Sequence, residues 1–97
     1  MEKHVYIYTE HNEEYSYGEQ MVKVFGNLED AKKHLIKQIN DVFEIKIEKV
    51  EDLNREEFAK FDPCIGSQYG VGEFVPQVSM MYYDTANFFY IYRKNVE

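Results

Sequence analysis

The chain has 97 residues, of which 44% are hydrophobic and 30% charged, and eighteen acidic against eleven basic side chains give a formal net charge of −7. This composition is typical of one globular domain and excludes a disordered chain. The negative charge disfavours binding to nucleic acid or anionic lipid, and no segment has the length of a membrane span.

The first half of the chain predicts two strands and a helix. The β-rich segments Lys3–Glu10 and Glu19–Phe25 are expected to pair with each other, because sequential strands usually do. Asn27 is a suitable N-cap for a helix over Leu28–Asn40, whose first turn carries two acids. The apolar residues of this amphipathic helix recur at spacings of three and four and form one stripe: Leu28, Ala31, Leu35, Ile39 and Val42.

The middle of the chain is less regular. In residues 44–50, Ile45 and Ile47 alternate with charged residues, which favours a short strand over a continuing helix. Asn54–Phe61 is typical of a short helix that begins with a capping box of Asn54 and Glu57. Asp62–Phe74 contains three glycines and one proline, so it is expected to be an irregular loop, and loops often carry function.

The C-terminal quarter predicts a hairpin. Its strands are expected at Phe74–Tyr83 and Phe88–Arg93, joined by the turn sequence DTAN, with Tyr83 paired with Phe88. All elements together predict a single α+β domain over residues 1–97, of order β-β-α-β-(α)-β-β. In this fold, an antiparallel sheet carries one main amphipathic helix on one face.

The aromatic segment Ser79–Tyr92 raises the question of what covers the second face of this sheet. Side chains alternate across a strand, so one face is predicted to be mainly aliphatic and to receive the helix, with Val5, Ile7, Val22 and Val24 on it. The other face is predicted to be a protein-binding surface, with these residues: Tyr6, Tyr8, Met81, Tyr83, Phe88, Tyr90 and Tyr92. Its covering is the 44–75 segment, a second copy or another protein.

Acidic side chains are expected to surround this surface. They are Glu10, Glu13, Glu14 and Glu19, and their charge would steer the face toward a partner with a basic surface. An aromatic sheet face can also stack single-stranded bases, but this chain lacks the basic residues that nucleic-acid binding needs. We therefore expect a protein partner, a homodimer included, and no direct contact with nucleic acid or membrane.

No catalytic, metal or nucleotide motif is complete in this sequence. Glu10, His11, Glu13 and Glu14 lack the spacing of known metal sites, and neither the lysine nor the helix of a phosphate loop follows the glycines after Cys64. Cys64 is the only cysteine, so it forms no intrachain disulfide, and no histidine follows it. We expect a cytoplasmic protein that is not an enzyme and has no cofactor or metal.

Val5–Leu35 resembles a class of small proteins found in phages and mobile elements. The shared features are a strand, a polar loop with Tyr17-Gly18-Glu19, a second strand ending in Val24-Phe25 and a helix carrying Ala31. The C-terminal sequence FFYIYRKNVE is similar to their closing strand. The resemblance implies a host-directed inhibitor, such as an anti-CRISPR or other anti-defence protein, and brings no catalytic residue. The alternative is a structural or accessory domain that self-associates through the same face.

Overall fold

The structure, a computed structural model, describes residues 3–13 and 21–96. They form five strands, β1 (Lys3–Asn12), β2 (Met21–Phe25), β3 (Cys64–Ser67), β4 (Pro76–Tyr82) and β5 (Thr85–Val96), one α-helix, α1 (Leu28–Phe43), and two 3-10 helices (Val50–Asn54 and Glu56–Phe61). All strand pairs are antiparallel and the order in the sheet is β2-β1-β5-β4-β3. The predicted α+β fold, an antiparallel sheet with one main helix on one face, is confirmed.

Helix α1 begins where the sequence predicts and ends one turn later. The side-chain oxygen of Asn27 accepts a hydrogen bond of 2.9 Å from the backbone N–H of Asp30, which caps the first turn. Its buried residues are Ala31, Leu35, Ile39 and Phe43. Because these lie four residues apart, the stripe reaches Phe43, and Val42, which the sequence placed in the stripe, is 38% exposed.

The strand predicted in residues 44–50 is wrong. Ile47 is buried as the alternation implied, but its backbone bonds to a side chain instead of a strand. Its N–H donates to the Oδ1 of Asn40 at 2.9 Å, and its carbonyl accepts from the Nδ2 of Asn40 at 3.1 Å. This amide satisfies the backbone groups that a neighbouring strand would have bound.

Two further expectations about the middle segment are wrong. The capping box of Asn54 and Glu57 does not form, because Asn54 is the last residue of one 3-10 helix and Arg55 precedes the next. Part of the predicted irregular loop is a strand, since Cys64–Ser67 pairs with β4. The number of strands therefore agrees with the prediction, although the third strand follows the short helices instead of preceding them.

The middle segment packs on the same side of the sheet as α1. Its buried residues Ile47, Val50, Leu53 and Phe58 belong to one hydrophobic cluster with residues of α1 and of the sheet. The ring of Phe43 on α1 contacts those of Phe61 and Phe89, with centroids 4.8 and 6.2 Å apart. Segment 44–75 thus adds its 3-10 helices to the helix layer and β3 to the edge of the sheet, and it does not cover the second face.

Within residues 3–13 and 21–96, no helix combines the length and the apolar character that crossing a membrane requires.

Candidate functional site

Tyr6 and Tyr8 lie under the helix layer, so their predicted place on the second face is wrong. They are 7% and 0% exposed, whereas Ile7, between them, points to the other side and pairs with Tyr92. Strand β1 is apolar on both faces, and its two tyrosine rings bury more area than its aliphatic residues do. Packing against α1 and the 44–75 segment therefore selects the tyrosines for the core.

Both buried phenols have acceptors at the margin of the core. The hydroxyl of Tyr8 donates to Glu10 at 2.7 Å and that of Tyr6 donates to Glu73 at 2.8 Å. Burial first, and then the neighbouring carboxylate, raises the pKa of each phenol above its usual value of 10.0. Glu73 also pairs with Arg93 at 2.8 Å, and the hydrogen bonds from Arg93 and Tyr6 lower the pKa of its carboxyl.

The side of the sheet away from α1 is called the open face. Alternation and the observed register place these strand residues on it: Lys3, Val5, Ile7, Thr9, His11, Val22, Val24, Cys64, Gly66, Gln77, Ser79, Met81, Ala86, Phe88, Tyr90, Tyr92, Lys94 and Val96. Not one of these residues is buried, whereas the helix side carries the core. No α- or 3-10 helix within residues 3–13 and 21–96 packs against this face.

Aromatic rings form a continuous strip along β5 on the open face. The rings of Phe88 and Tyr90 lie 5.9 Å apart and those of Tyr90 and Tyr92 lie 6.1 Å apart, both edge to face. His11 stacks on Phe88 at 5.9 Å. These rings and Thr9 line a shallow depression of about 410 Å³. Partial burial, followed by the proximity of Tyr90, raises the pKa of the Tyr92 phenol. The strip is a pre-formed apolar surface.

The C-terminal hairpin has a different register from the one predicted, but its faces are the same. Ser79 pairs with Phe88, and a two-residue connection, Tyr83–Asp84, joins the strands. The pairing differs from the predicted one by an even number of residues, so each side chain keeps its face. Met81 therefore shares the open face with the aromatic strip, as predicted. Tyr83 instead lies in the turn, 85% exposed and with φ of 55°.

Of the four acids predicted around the open face, the structure describes Glu10 and Glu13. Glu10 points to the helix side, where it binds Tyr8. Glu13 closes the end of the β1–β5 ladder, where its N–H donates to the carbonyl of Ala86 and its carboxylate accepts from the N–H of that residue. Glu14 and Glu19 lie outside the described residues. The charged residues in the described strands of the open face are Lys3 and Lys94, and Glu13 stands at the opposite end of this face, beside Ala86.

The sequence also missed several residues of the open face. Val5, Ile7, Val22 and Val24 were expected beneath the helix, yet they lie beside the aromatic strip, and Val24 is 59% exposed. Their grouping with one another was correct. The alternation of residues in β1 does not show which face of the sheet this aliphatic group occupies, because both faces of β1 are apolar at its centre.

The chemistry of the described residues does not identify a reaction. Among residues 3–13 and 21–96, no three His, Cys, Asp or Glu side chains come together as a metal site would require. Cys64 is an exposed free thiol on the edge strand β3. The open face is instead an apolar surface suited to contact with another molecule.

Comparison with known proteins identifies no relative of this chain. No protein-family model, curated protein or solved structure matches this chain.

Proposed function

We propose that this chain is a non-enzymatic protein-binding protein whose contact surface is the open face. One observation carries the proposal: the described strands bury no residue of this face, although most of its central side chains are apolar. Exposed apolar surface costs roughly 25 cal/mol per Å² relative to burial. Contiguous apolar patches on soluble proteins usually mark interaction sites. Covering the face with a protein would remove this cost.

The role that we propose for this binding is inhibition of a host protein, such as a CRISPR or other defence nuclease. The resemblance of Val5–Leu35 to small proteins of phages and mobile elements supports this role. The net charge of −7 supports it too, because a nuclease has a basic channel for its nucleic acid.

A plaque assay tests this role. The chain is expressed in bacteria that carry an active CRISPR nuclease and in the same strain without the nuclease. We expect the chain to restore plating of a targeted phage only in the first strain, and a Tyr90→Ala, Tyr92→Ala double variant to lose the effect. Tyrosine is enriched among the residues that dominate interface energies, so removing two anchors from the face should abolish binding.

The matched control removes two tyrosines from outside the open face. Tyr69 lies in the loop after β3, 99% exposed, and Tyr83 lies in the β4–β5 turn. A Tyr69→Ala, Tyr83→Ala variant should therefore retain the effect. Circular dichroism must show that both double variants are folded. An open-face variant that inhibits as well as the wild type would contradict the proposed surface. Failure against every defence nuclease tested would contradict the inhibitory role.

A further inference from the structure

We propose that the outer edge of β2 binds an extended segment of a partner protein, which pairs with β2 as an added strand and places an acidic side chain opposite Lys23. In strand addition of this kind, backbone hydrogen bonds supply the affinity and alternate side chains supply the specificity. The proposal goes beyond the proposed function, because it concerns the edge of the sheet and not its open face.

Hydrogen bonds near the two ends of β5 show in which directions its backbone groups point. Those of Arg93 bind the side-chain amide of Gln68 on the β4 side of β5. Those of Ala86 point the other way, since its carbonyl accepts from the N–H of Glu13 at 3.0 Å. Backbone groups alternate in direction along an antiparallel strand. The odd-numbered residues of β5 therefore bind toward β4, and the even-numbered residues bind toward β1.

The same alternation, followed through the register to β2, directs the backbone of Val22 and Val24 to the outer edge of the sheet. The odd-numbered residues of β1 bind β5, so the even-numbered ones, such as Tyr8, bind β2. Tyr8 lies opposite Lys23, so the backbone of Lys23 points toward β1 and that of its two neighbours points away. In the part of the chain that the structure describes, the sheet ends at β2 and no strand pairs with this edge. Such an edge is a template for an extended chain.

The edge of β2 is better suited to an added strand than the other edges of the sheet. Beyond Tyr90, the flank of β5 on the β4 side is closed by the amides of Gln68 and Gln77. The opposite edge strand, β3, has four residues and contains Gly66, which weakens a strand. Strand β2 has five residues, including two valines and a phenylalanine, and contains neither glycine nor proline. These residue types favour an extended backbone.

Lys23 disfavours a second copy as the added strand. If two copies of β2 paired antiparallel over all five residues, the two Lys23 side chains would lie directly opposite each other. Like charges in this position are destabilising. A shift of the register separates the two lysines but pairs fewer residues of β2. A different chain can pair over the whole strand without this repulsion.

The charges near the centre of β2 favour an acidic residue in the added strand. Lys23 is exposed, and both it and Lys37 of α1 lie close enough to His34 to lower the pKa of that imidazole. Glu10, the carboxylate on β1 beside this region, lies opposite Met21 at one end of β2. An acidic side chain opposite Lys23 therefore meets positive charge, and opposite charges across a strand pair are stabilising.

An NMR titration with a short peptide tests the added strand. The peptide Ser-Thr-Val-Glu-Val-Thr-Ser, blocked at both ends, can place its glutamate opposite Lys23 and its valines opposite Val22 and Val24. We expect the amide signals of Val22 and Val24 to shift and their hydrogen exchange to become slower, because the peptide carbonyls accept from these N–H groups. The same peptide with both valine nitrogens methylated lacks the donors of the ladder and should not bind.

A charge exchange tests the role of Lys23. Replacing the glutamate of the peptide with lysine should weaken binding to the wild type by at least about threefold. The Lys23→Glu variant should reverse this preference. Lys33→Glu changes the net charge equally at an exposed site on α1, so it is the matched control and should keep the preference of the wild type.

Three results would overturn the proposal. They are equal binding of the methylated peptide, tighter binding of the glutamate peptide by Lys23→Glu, and no shift of the two valine amides at millimolar peptide. The Tyr90→Ala, Tyr92→Ala variant separates this site from the open face, because β5 lies two strands away from β2. This variant should bind the peptide as the wild type does. Loss of binding in the folded variant would place the peptide on the open face and would also contradict the proposal.

Discussion

His34 is a titratable side chain that folding partly buries against two aromatic rings. It lies on α1 against the rings of Tyr8 and Phe25, with centroids 4.7 and 5.4 Å away. Its Nε2 atom is buried and has no hydrogen-bond partner. Burial first, and then Lys23 and Lys37, lowers the pKa of the imidazole below its usual value of 6.5. The folded protein therefore favours the neutral ring.

This environment predicts a loss of stability in mild acid. The unfolded chain protonates His34 near pH 6.5 and the folded chain only below that pH. The contribution of His34 to stability is therefore complete above pH 6.5 and is lost as the pH falls toward the lower, folded pKa. Urea unfolding above and below pH 6.5 should show this decrease, and a His34→Phe variant should show less of it. The same pH dependence in both proteins would contradict the prediction.

At the scale of elements, the stability of the helix layer depends on the stripe of α1. Leu35 is completely buried in the main cluster, so Leu35→Ala should lower the free energy of unfolding by about 2–5 kcal/mol. Val42→Ala, at a partly exposed site on the same helix, should cost no more than about 1 kcal/mol. Chemical denaturation measures both values. Similar costs for the two variants would show that the stripe is not the main contact of the helix.

Glutamine side chains replace a missing strand along part of β5. Strand β4 begins at Pro76, so β5 has no ladder partner on that side beyond Tyr90. The amide of Gln68 accepts from the N–H of Arg93 at 2.6 Å and donates to its carbonyl at 3.3 Å. Gln77 donates to the carbonyl of Ile91 at 3.3 Å. These bonds close a strand edge that could otherwise pair with another chain.

Removing one of these amides should have a local effect. Gln68→Ala should cost about 1–3 kcal/mol, because it leaves two backbone groups of Arg93 without a protein partner. Hydrogen exchange of the Arg93 amide should become faster. Gln68→Glu keeps an acceptor for that amide and loses the donor, so it should retain most of the protection. Unchanged exchange in Gln68→Ala would mean that water replaces the side chain without cost.

At the scale of the whole molecule, we predict no binding to nucleic acid. The aromatic strip resembles the stacking surface of sheets that bind RNA, but stacking alone does not offset repulsion from the phosphates. The described open face offers Lys3 and Lys94 against a total charge of −7. Gel shifts at low salt with single-stranded and duplex oligonucleotides should show no retarded band at micromolar protein. A band that disappears on replacing both lysines would reveal a basic site.

The elements whose structure depends on residues close together in the chain were predictable from the sequence. Asn27 and the spacing of the apolar residues determined where α1 begins and which side it buries, because a helix and its cap are local structures. The alternation of side chains also determined which residues of a strand share a face, as for Val22 and Val24 on β2. The segment around Ile47 was not predictable in this way, since its backbone partner is the side chain of Asn40.

Only the tertiary structure decided how the faces of the two hairpins combine. Strands β1 and β5 are adjacent in the sheet but far apart in the chain, and a shift of one residue between them exchanges the two faces of β1. The local pattern carries no information on this choice, because Tyr6 and Tyr8 on one side are as apolar as Val5 and Ile7 on the other. Packing of the helix layer buried the larger tyrosine rings, and this left the aliphatic residues beside the aromatic strip on the open face.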